Sequence, residues 1–210
     1  MIKRIIKPIN IIYFFHITIV FLIGFGFLDR KAALILGAVL IIYFLIEKLE
    51  KSSLYFIRAI PLFIALPITS SFDSLNIWRI LSVIIFLKLI YIETKDGKLI
   101  DKFKEKVGRL SPVSWSLILL FVLAGLSLFK APDFIAGAKR IVYFANAILA
   151  PIVIYYLTKQ RKIELKTVLQ NFIPPAVIIL IIGFLQLVLT YYITIGDFLY
   201  FWSLIFDRGF

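Results

Sequence analysis

Long runs of hydrophobic residues, nearly free of charge, alternate with short polar segments along the whole chain. Such runs are typical of membrane-spanning helices, because a helix rises 1.5 Å per residue and the hydrocarbon core of a bilayer is about 30 Å thick. The pattern predicts an all-α fold, a polytopic transmembrane helical bundle of about seven spans. The predicted spans are residues 9–28, 32–46, 53–70, 75–92, 112–129, 134–157 and 174–195.

The composition supports a membrane protein and excludes an ordinary soluble domain. Hydrophobic residues make up 62% of the 210 residues and charged residues 17%, whereas soluble domains are about half apolar and about a quarter charged. The chain contains no cysteine, which excludes disulfide bonds, thiolate metal sites and a cysteine nucleophile.

The distribution of the basic residues predicts the orientation of the spans. The chain has 24 Lys and Arg against 12 Asp and Glu. With a cytoplasmic N-terminus, 15 basic residues fall in inner segments and seven in outer segments, as the positive-inside rule requires, and the C-terminus lies outside. Topology thus explains most of the positive charge, and we expect no nucleic-acid partner. Arg58 and Lys88 lie near inner span ends and are expected to snorkel to the inner headgroups.

Two inner segments and one outer segment have patterns of their own. Residues 93–111 combine apolar residues at three- and four-residue steps with Lys98, Lys102 and Lys106, which describes a basic amphipathic helix that binds anionic lipid on the inner leaflet. A solvated connector explains this pattern equally well. Residues 161–172 are a weaker copy, for which a connector is favoured. The aromatic residues of 197–206 suit the outer interface.

Polar residues within the predicted spans are few. No Asp or Glu lies in the middle of a span, which argues against a proton relay built on carboxylates. His16 is the single histidine and has no other ligand spaced near it, so we expect a hydrogen-bonded packing role and no metal or cofactor site. For Asn146 and Gln186 we expect interhelical hydrogen bonds.

Cations also gather at the outer ends of the spans, against the overall charge bias. A planar guanidinium at the mouth of a membrane cavity can bind two phosphate oxygens at once, which suits a diphosphate. Ordinary anchoring of helix ends at the interface is the alternative for each residue taken singly. The candidate diphosphate-binding residues are Arg79, Lys139, Arg140 and Arg208.

Two stretches carry a family resemblance. The run IPLFIALPITSSFDSLNIWRILSVIIFLKLIY at 60–91, a basic inner loop and KRIVYFANAILAPIVIYYL at 139–157 resemble the N-terminal half of bacterial O-antigen ligase and polymerase-like membrane proteins. The resemblance covers residues 60–210. It implies a glycosyltransferase that passes a glycan from undecaprenyl diphosphate to a lipid or sugar acceptor at the outer face of the bacterial inner membrane. It also implies that Arg79 and Arg140 hold the diphosphate.

The chain departs from that family in length. Family members are about twice as long and carry a large outer loop with a catalytic histidine. We therefore expect residues 1–210 to be a single transmembrane domain, the N-terminal part of a longer protein, inactive alone and with no catalytic residue assigned. The alternative is a small non-enzymatic integral membrane protein for lipid binding, scaffolding or solute transport. Only the prolines in the spans, Pro61, Pro67 and Pro151, suggest transport.

Overall fold

The structure of this chain is a computed structural model that describes residues 8–67, 76–95 and 112–189. Over these ranges the chain is helical, apart from turns, loops and one isolated bridge between Ala65 and Asn76, and the predicted all-α class is confirmed for them. Two short 3₁₀ turns, Ile60–Leu62 and Leu128–Lys130, follow α3 and α5. The helices are α1 (Pro8–Gly24), α2 (Ala32–Ile46), α3 (Leu49–Ala59), α4 (Ile77–Lys95), α5 (Pro112–Ser127), α6 (Phe134–Lys159) and α7 (Leu165–Leu189).

Two of these helices are long and apolar enough to cross a membrane. The segments are Phe134–Lys159 and Leu165–Leu185, and only 17% of the apolar window in each is buried. This low burial differs from that of a core helix in a soluble protein, which is mostly buried. The apolar parts of α1, α2 and α5 are shorter, yet they too expose large hydrophobic side chains, such as Ile46 at 81% and Phe14 at 72%. These features support association with a membrane.

The predicted span 53–70 is wrong as a continuous helix. Helix α3 ends at Ala59, and a 3₁₀ turn and an extended stretch follow it. Pro61 favours the break, since it has no N–H to donate and its ring would clash with the carbonyl of Ile57 in a continuing helix. The carbonyls of Phe63 and Ile64 then bond to Asn76 and Ile77 and not to a further helical turn. By contrast, 32–46 matches α2 at both ends, and α1, α4, α5 and α6 lie within a few residues of their predicted spans.

The extended stretch after the 3₁₀ turn is buried and paired with the start of α4. Residues 62–66 are each at most 6% exposed. The backbone N–H of Ile77 donates to the carbonyl of Ile64 at 3.4 Å. The side-chain Nδ2 of Asn76 donates to the carbonyl of Phe63 at 3.3 Å. These bonds meet the requirement that buried backbone groups find partners.

The predictions for the C-terminal part are wrong in their boundaries. Residues 165–172 and the region from Pro174 onward form one helix, α7, which runs through Pro174 and Pro175. Residues 161–164 form only the turn before it. A proline costs one helical hydrogen bond but need not end a helix that packs against neighbours. Helix α6 likewise continues through Pro151.

Three predictions concern residues outside the described part of the chain. They are the remainder of the basic inner segment at 96–111, the aromatic segment at 197–206 and the side chain of Gln186.

The core lies among α1, α2, α3 and α4, and α6 and α7 pack against it. Helix α5 contributes none of the buried residues in the described part of the chain, and its main contacts there are with α6 and the 3₁₀ turn before α6. It therefore lies at the edge of the bundle. The largest fully buried side chains include Leu40 and Phe44 of α2, Tyr55 and Ile57 of α3, Leu81 and Ile85 of α4, and Val153 and Leu157 of α6.

His16 has the hydrogen-bonded packing role that the sequence favours. Its side chain is fully buried, with Nδ1 3.0 Å from the Tyr55 hydroxyl and Nε2 3.1 Å from the Leu62 carbonyl. Because a carbonyl only accepts, Nε2 carries the hydrogen, and in the neutral ring Nδ1 accepts from Tyr55. His16 thus joins α1 to α3 and to the 3₁₀ turn that follows it.

Protein oxygens bind both Arg58 and Lys88, the two side chains that are predicted to reach the inner headgroups. The Arg58 guanidinium donates from Nε to Asn171 Oδ1 at 3.0 Å and from Nη1 to Asn10 Oδ1 at 2.7 Å. Lys88 Nζ donates to the Phe44 carbonyl at 2.8 Å and to two further carbonyls just beyond it in the chain. Arg58 thus joins α3 to α1 and α7, and Lys88 caps the C-terminal end of α2.

Candidate functional site

The candidate site lies where the first turn of α4 meets the first half of α6. Asn76 precedes α4, and its Oδ1 accepts the N–H of Trp78 at 3.1 Å, the bond of an N-cap residue. Arg79 is the third residue of the helix that this cap begins. The cap therefore fixes the direction in which the Arg79 side chain leaves α4.

Aromatic rings hold the Arg79 guanidinium. Its Cζ atom lies 3.7 Å from the centroid of the Tyr143 ring and 5.6 Å from that of Trp78. Both distances are within the range of a cation–π interaction. Tyr143 is on α6, so this contact joins the two helices directly.

The guanidinium has no acceptor among the described residues. Nε is buried without a hydrogen-bond partner, and no described side chain or carbonyl accepts from Nη1 or Nη2. No described carboxylate forms an ion pair with it. Since a guanidinium carries five N–H donors, Arg79 presents a half-buried positive charge whose donors are not satisfied by this part of the protein.

Asn146 fixes the start of α4 against α6. Its Nδ2 donates to the backbone carbonyl of Arg79 at 3.2 Å, and its Oδ1 accepts from the Ser82 hydroxyl. The predicted interhelical hydrogen bonding of Asn146 is confirmed. These bonds hold the backbone of Arg79 while Tyr143 holds its side chain.

Two further candidate cations lie one turn away on α6. The helix is capped by Asp133, whose Oδ1 accepts the N–H of Ala136 at 3.0 Å. Lys139 precedes Tyr143 by four residues and Arg140 precedes it by three, so both lie on the preceding helical turn. Seen along the helix axis, Lys139 is rotated from Tyr143 by about 40° and Arg140 by about 60°, in opposite directions. Both are exposed. The structure thus brings these two cations and Arg79 to one end of α6, whereas Arg208 lies outside the described residues.

An apolar cleft, which we call the α5–α6 cleft, adjoins Arg140. It lies between α5, the 3₁₀ turn Leu128–Lys130 and the first half of α6, with a volume of about 480 Å³. Its lining residues include Leu120, Ala124, Leu128, Gly137, Arg140 and Phe144.

Tyr143 and Ser82 are the parts of this site that sequence reasoning missed. A tyrosine in an apolar run gives no signal of its own, because interfacial tyrosines are common in membrane helices. The ring is assigned only once α4 and α6 are known to be neighbours. In the described ranges, no group of three or more His, Asp or Glu side chains could hold a metal ion.

Comparison with known proteins identifies no relative. No protein-family model, no curated protein and no solved structure matches this chain.

Proposed function

We propose that this chain is the membrane domain of an O-antigen ligase- or polymerase-like glycosyltransferase. It binds an undecaprenyl-diphosphate-linked glycan at the outer face of the bacterial inner membrane. The observation that carries the proposal is the Arg79 guanidinium, held between the rings of Tyr143 and Trp78 without a described acceptor. Lys139 and Arg140 lie one helical turn away.

The chemistry of this site favours a diphosphate. A half-buried charge without hydrogen bonds is costly, so an anion that binds Arg79 recovers free energy that the described residues alone do not. The guanidinium fork matches two phosphate oxygens. A second phosphate can then be bound by Arg140 or Lys139, and three cations near one helix end suit the charge of a diphosphate better than that of a single phosphate.

The contacts between helices support placing Arg79 on the side of the bundle opposite to the residues predicted near the inner face. Residues predicted near the inner face meet one another, since Arg58 bonds to Asn10 and Asn171 and Lys88 bonds to the Phe44 carbonyl. Arg79 lies at the opposite end of α4 from this group. In this orientation the cations of the site lie at the level of the outer headgroups.

The proposed reaction is a direct displacement at the anomeric carbon of the carried glycan. An acceptor hydroxyl oxygen forms the new glycosidic bond while the bond to the diphosphate oxygen breaks, and that oxygen leaves with the electron pair. The acceptor proton passes to a base outside the described residues. Arg79 and Arg140 stabilise the charge that develops on the leaving diphosphate, as fixed cations in a site of low dielectric do.

The test compares Arg79→Gln with Arg30→Gln, an arginine on the predicted outer side that lies between α1 and α2. With the full chain in detergent, Arg79→Gln should weaken binding of farnesyl diphosphate at least about tenfold, because charge-assisted hydrogen bonds are lost. Arg30→Gln should bind like the wild type. The variant also loses the cation–π contact with Tyr143, so its thermal midpoint should fall slightly, and binding is compared at a temperature where all three proteins are folded. Equal affinity in all three proteins would exclude Arg79 from the site.

A further inference from the structure

We infer that the turn between α6 and α7 binds the phosphate group of an anionic phospholipid, for which phosphatidylglycerol is the probe. The turn, which we call the α6–α7 turn, comprises residues 160–164. It lies at the opposite end of α6 from Lys139 and Arg140. The inference therefore goes beyond the proposed function and does not depend on it.

Four cations lie within eight residues at the α6–α7 turn, and all four side chains are exposed. They are Lys159, Arg161, Lys162 and Lys166. The Lys159 ammonium lies 5.9 Å from the centroid of the Tyr155 ring. Among the described residues no carboxylate pairs with any of the four, and Glu164 is the single acidic residue in this stretch. The surplus of positive charge is complementary to the phosphate of an anionic lipid.

Hydrogen bonds fix the backbone of the α6–α7 turn. The Leu157 carbonyl accepts the N–H of Lys162 at 3.0 Å and that of Ile163 at 3.4 Å. The N–H of Gln160 donates to the Tyr156 carbonyl at 2.9 Å. The side chain of Ile163 is buried and belongs to the core of the bundle. The neighbouring cations thus start from a backbone of fixed shape, which lowers the entropy that a bound anion must cost.

Arg161 occupies a position that favours glycine. Its φ angle is 54°, in the left-handed region where helices commonly end on glycine and where a side chain costs free energy. No hydrogen bond or ion pair of the Arg161 side chain within the described part of the chain offsets this cost. A phosphate supplies the missing acceptors, since the planar guanidinium can bind two of its oxygens at once.

The surroundings of the α6–α7 turn favour a lipid over a soluble anion. Helices α6 and α7 are the two described helices that are long and apolar enough to cross a membrane. A turn between two spanning helices lies at the depth of the headgroups. On either side of this turn, Tyr155, Leu165 and Leu169 are exposed. An acyl chain that covers these side chains brings its own phosphate to the cations.

Because the sequence contains no cysteine, a single introduced thiol can report on lipid next to the turn. Gln160→Cys places this thiol at an exposed position, where it is labelled with bimane. The full chain is studied in phosphatidylcholine nanodiscs that contain a small fraction of a lipid with a nitroxide near the top of one acyl chain, which quenches bimane at short range. We expect labelled phosphatidylglycerol to associate at least about tenfold more strongly than labelled phosphatidylcholine, and added salt to reduce this preference.

A double variant and its matched control identify the cations. In the labelled protein, Arg161→Gln with Lys162→Gln should lower the preference for phosphatidylglycerol at least about fivefold, which is about the factor that one cation near the headgroups contributes. Arg30→Gln with Lys31→Gln removes the same charge from the turn between α1 and α2. This control should keep the wild-type preference. An equal loss in the control would show that net charge alone attracts the lipid, and it would overturn the site.

Arg161→Gly separates lipid binding from folding. Glycine adopts a φ angle of 54° without strain, so in phosphatidylcholine alone this variant should keep or raise the thermal midpoint. Its preference for phosphatidylglycerol should nevertheless fall about fivefold. A wild type without any preference, or a full preference in Arg161→Gly and in the double variant, would make the inference wrong. None of these measurements involves Arg79, so each result leaves the proposed function to its own test.

Discussion

Replacing Tyr55 with alanine should lower the free energy of unfolding by about 3–5 kcal/mol, the usual cost of removing a large aromatic side chain from a core. Tyr55 is fully buried, and its ring packs edge-on against Tyr13, Tyr43 and Phe44 at centroid distances of 5.3 to 6.2 Å. Its hydroxyl also reaches His16. The substitution leaves a cavity where α1, α2 and α3 meet. It also removes the hydroxyl that donates to Nδ1 of His16. Equilibrium unfolding in detergent micelles measures the loss.

Two companion variants separate packing from hydrogen bonding. Tyr55→Phe keeps the ring and removes only the hydroxyl, so it should cost about 1–2 kcal/mol. Tyr91→Ala makes the same large change on α4 at a side chain that is 68% exposed, and it should shift stability by no more than about 0.5 kcal/mol. Equal losses for Tyr55→Ala and Tyr91→Ala would show that the core does not lie around Tyr55.

The second large effect is expected at Lys88. Lys88→Met retains most of the apolar stem but removes the ammonium that caps the C-terminal carbonyls of α2. We expect a loss of about 2 kcal/mol, because a charged donor at a helix C-terminus is lost and its acceptors remain partly buried. Thermal unfolding in the same micelles, followed by circular dichroism, checks this value.

Lys51→Met is the matched control for Lys88→Met. Lys51 pairs with Glu47 at 3.1 Å but is 55% exposed, so its loss should cost no more than about 0.5 kcal/mol. The backbone N–H of Lys48 and the ammonium of Lys51 lower the pKa of Glu47. The small stabilising contribution of the Glu47–Lys51 ion pair is therefore complete at pH values above the ordinary carboxyl pKa. It is lost as the pH falls through the lowered pKa of Glu47. A loss at Lys51 as large as that at Lys88 would contradict the capping role.

Most of the helical segments could be predicted from the sequence, because an uninterrupted run of apolar residues is by itself almost sufficient to indicate a helix. The span 32–46 matches α2 at both ends for this reason. The span 53–70 could not be predicted in the same way, since hydropathy does not register that Pro61 ends the helix. The extended stretch that follows depends on hydrogen bonds to Asn76 and Ile77, each 13 residues further along the chain than its partner. Long-range pairing of this kind leaves no local pattern.

The candidate site was predictable in its cations but not in its geometry. Arg79 and Arg140 stand out because basic residues at the predicted outer span ends oppose the predicted charge bias. The contact between Arg79 and Tyr143 joins residues 64 positions apart, and only the packing of α4 on α6 reveals it. The protein partners of Arg58 and Lys88 were not predicted for a related reason. The oxygens that bind them come from other helices, and hydropathy alone suggested that lipid headgroups would be their nearest polar partners.

The break after α3 has a consequence for biogenesis. An 11-residue helix is about 17 Å long, and α3 carries Glu50, Lys51 and Arg58, so in a bilayer it is a poor substrate for insertion by itself. Until its hydrogen-bond partners are made, the extended stretch behind α3 carries backbone groups that lipid cannot satisfy. Their partners, Asn76 and Ile77, are synthesised later. We therefore expect the ribosome to deliver α3 and α4 to the insertion machinery as one unit, with α3 released into the bilayer only after α4 has emerged.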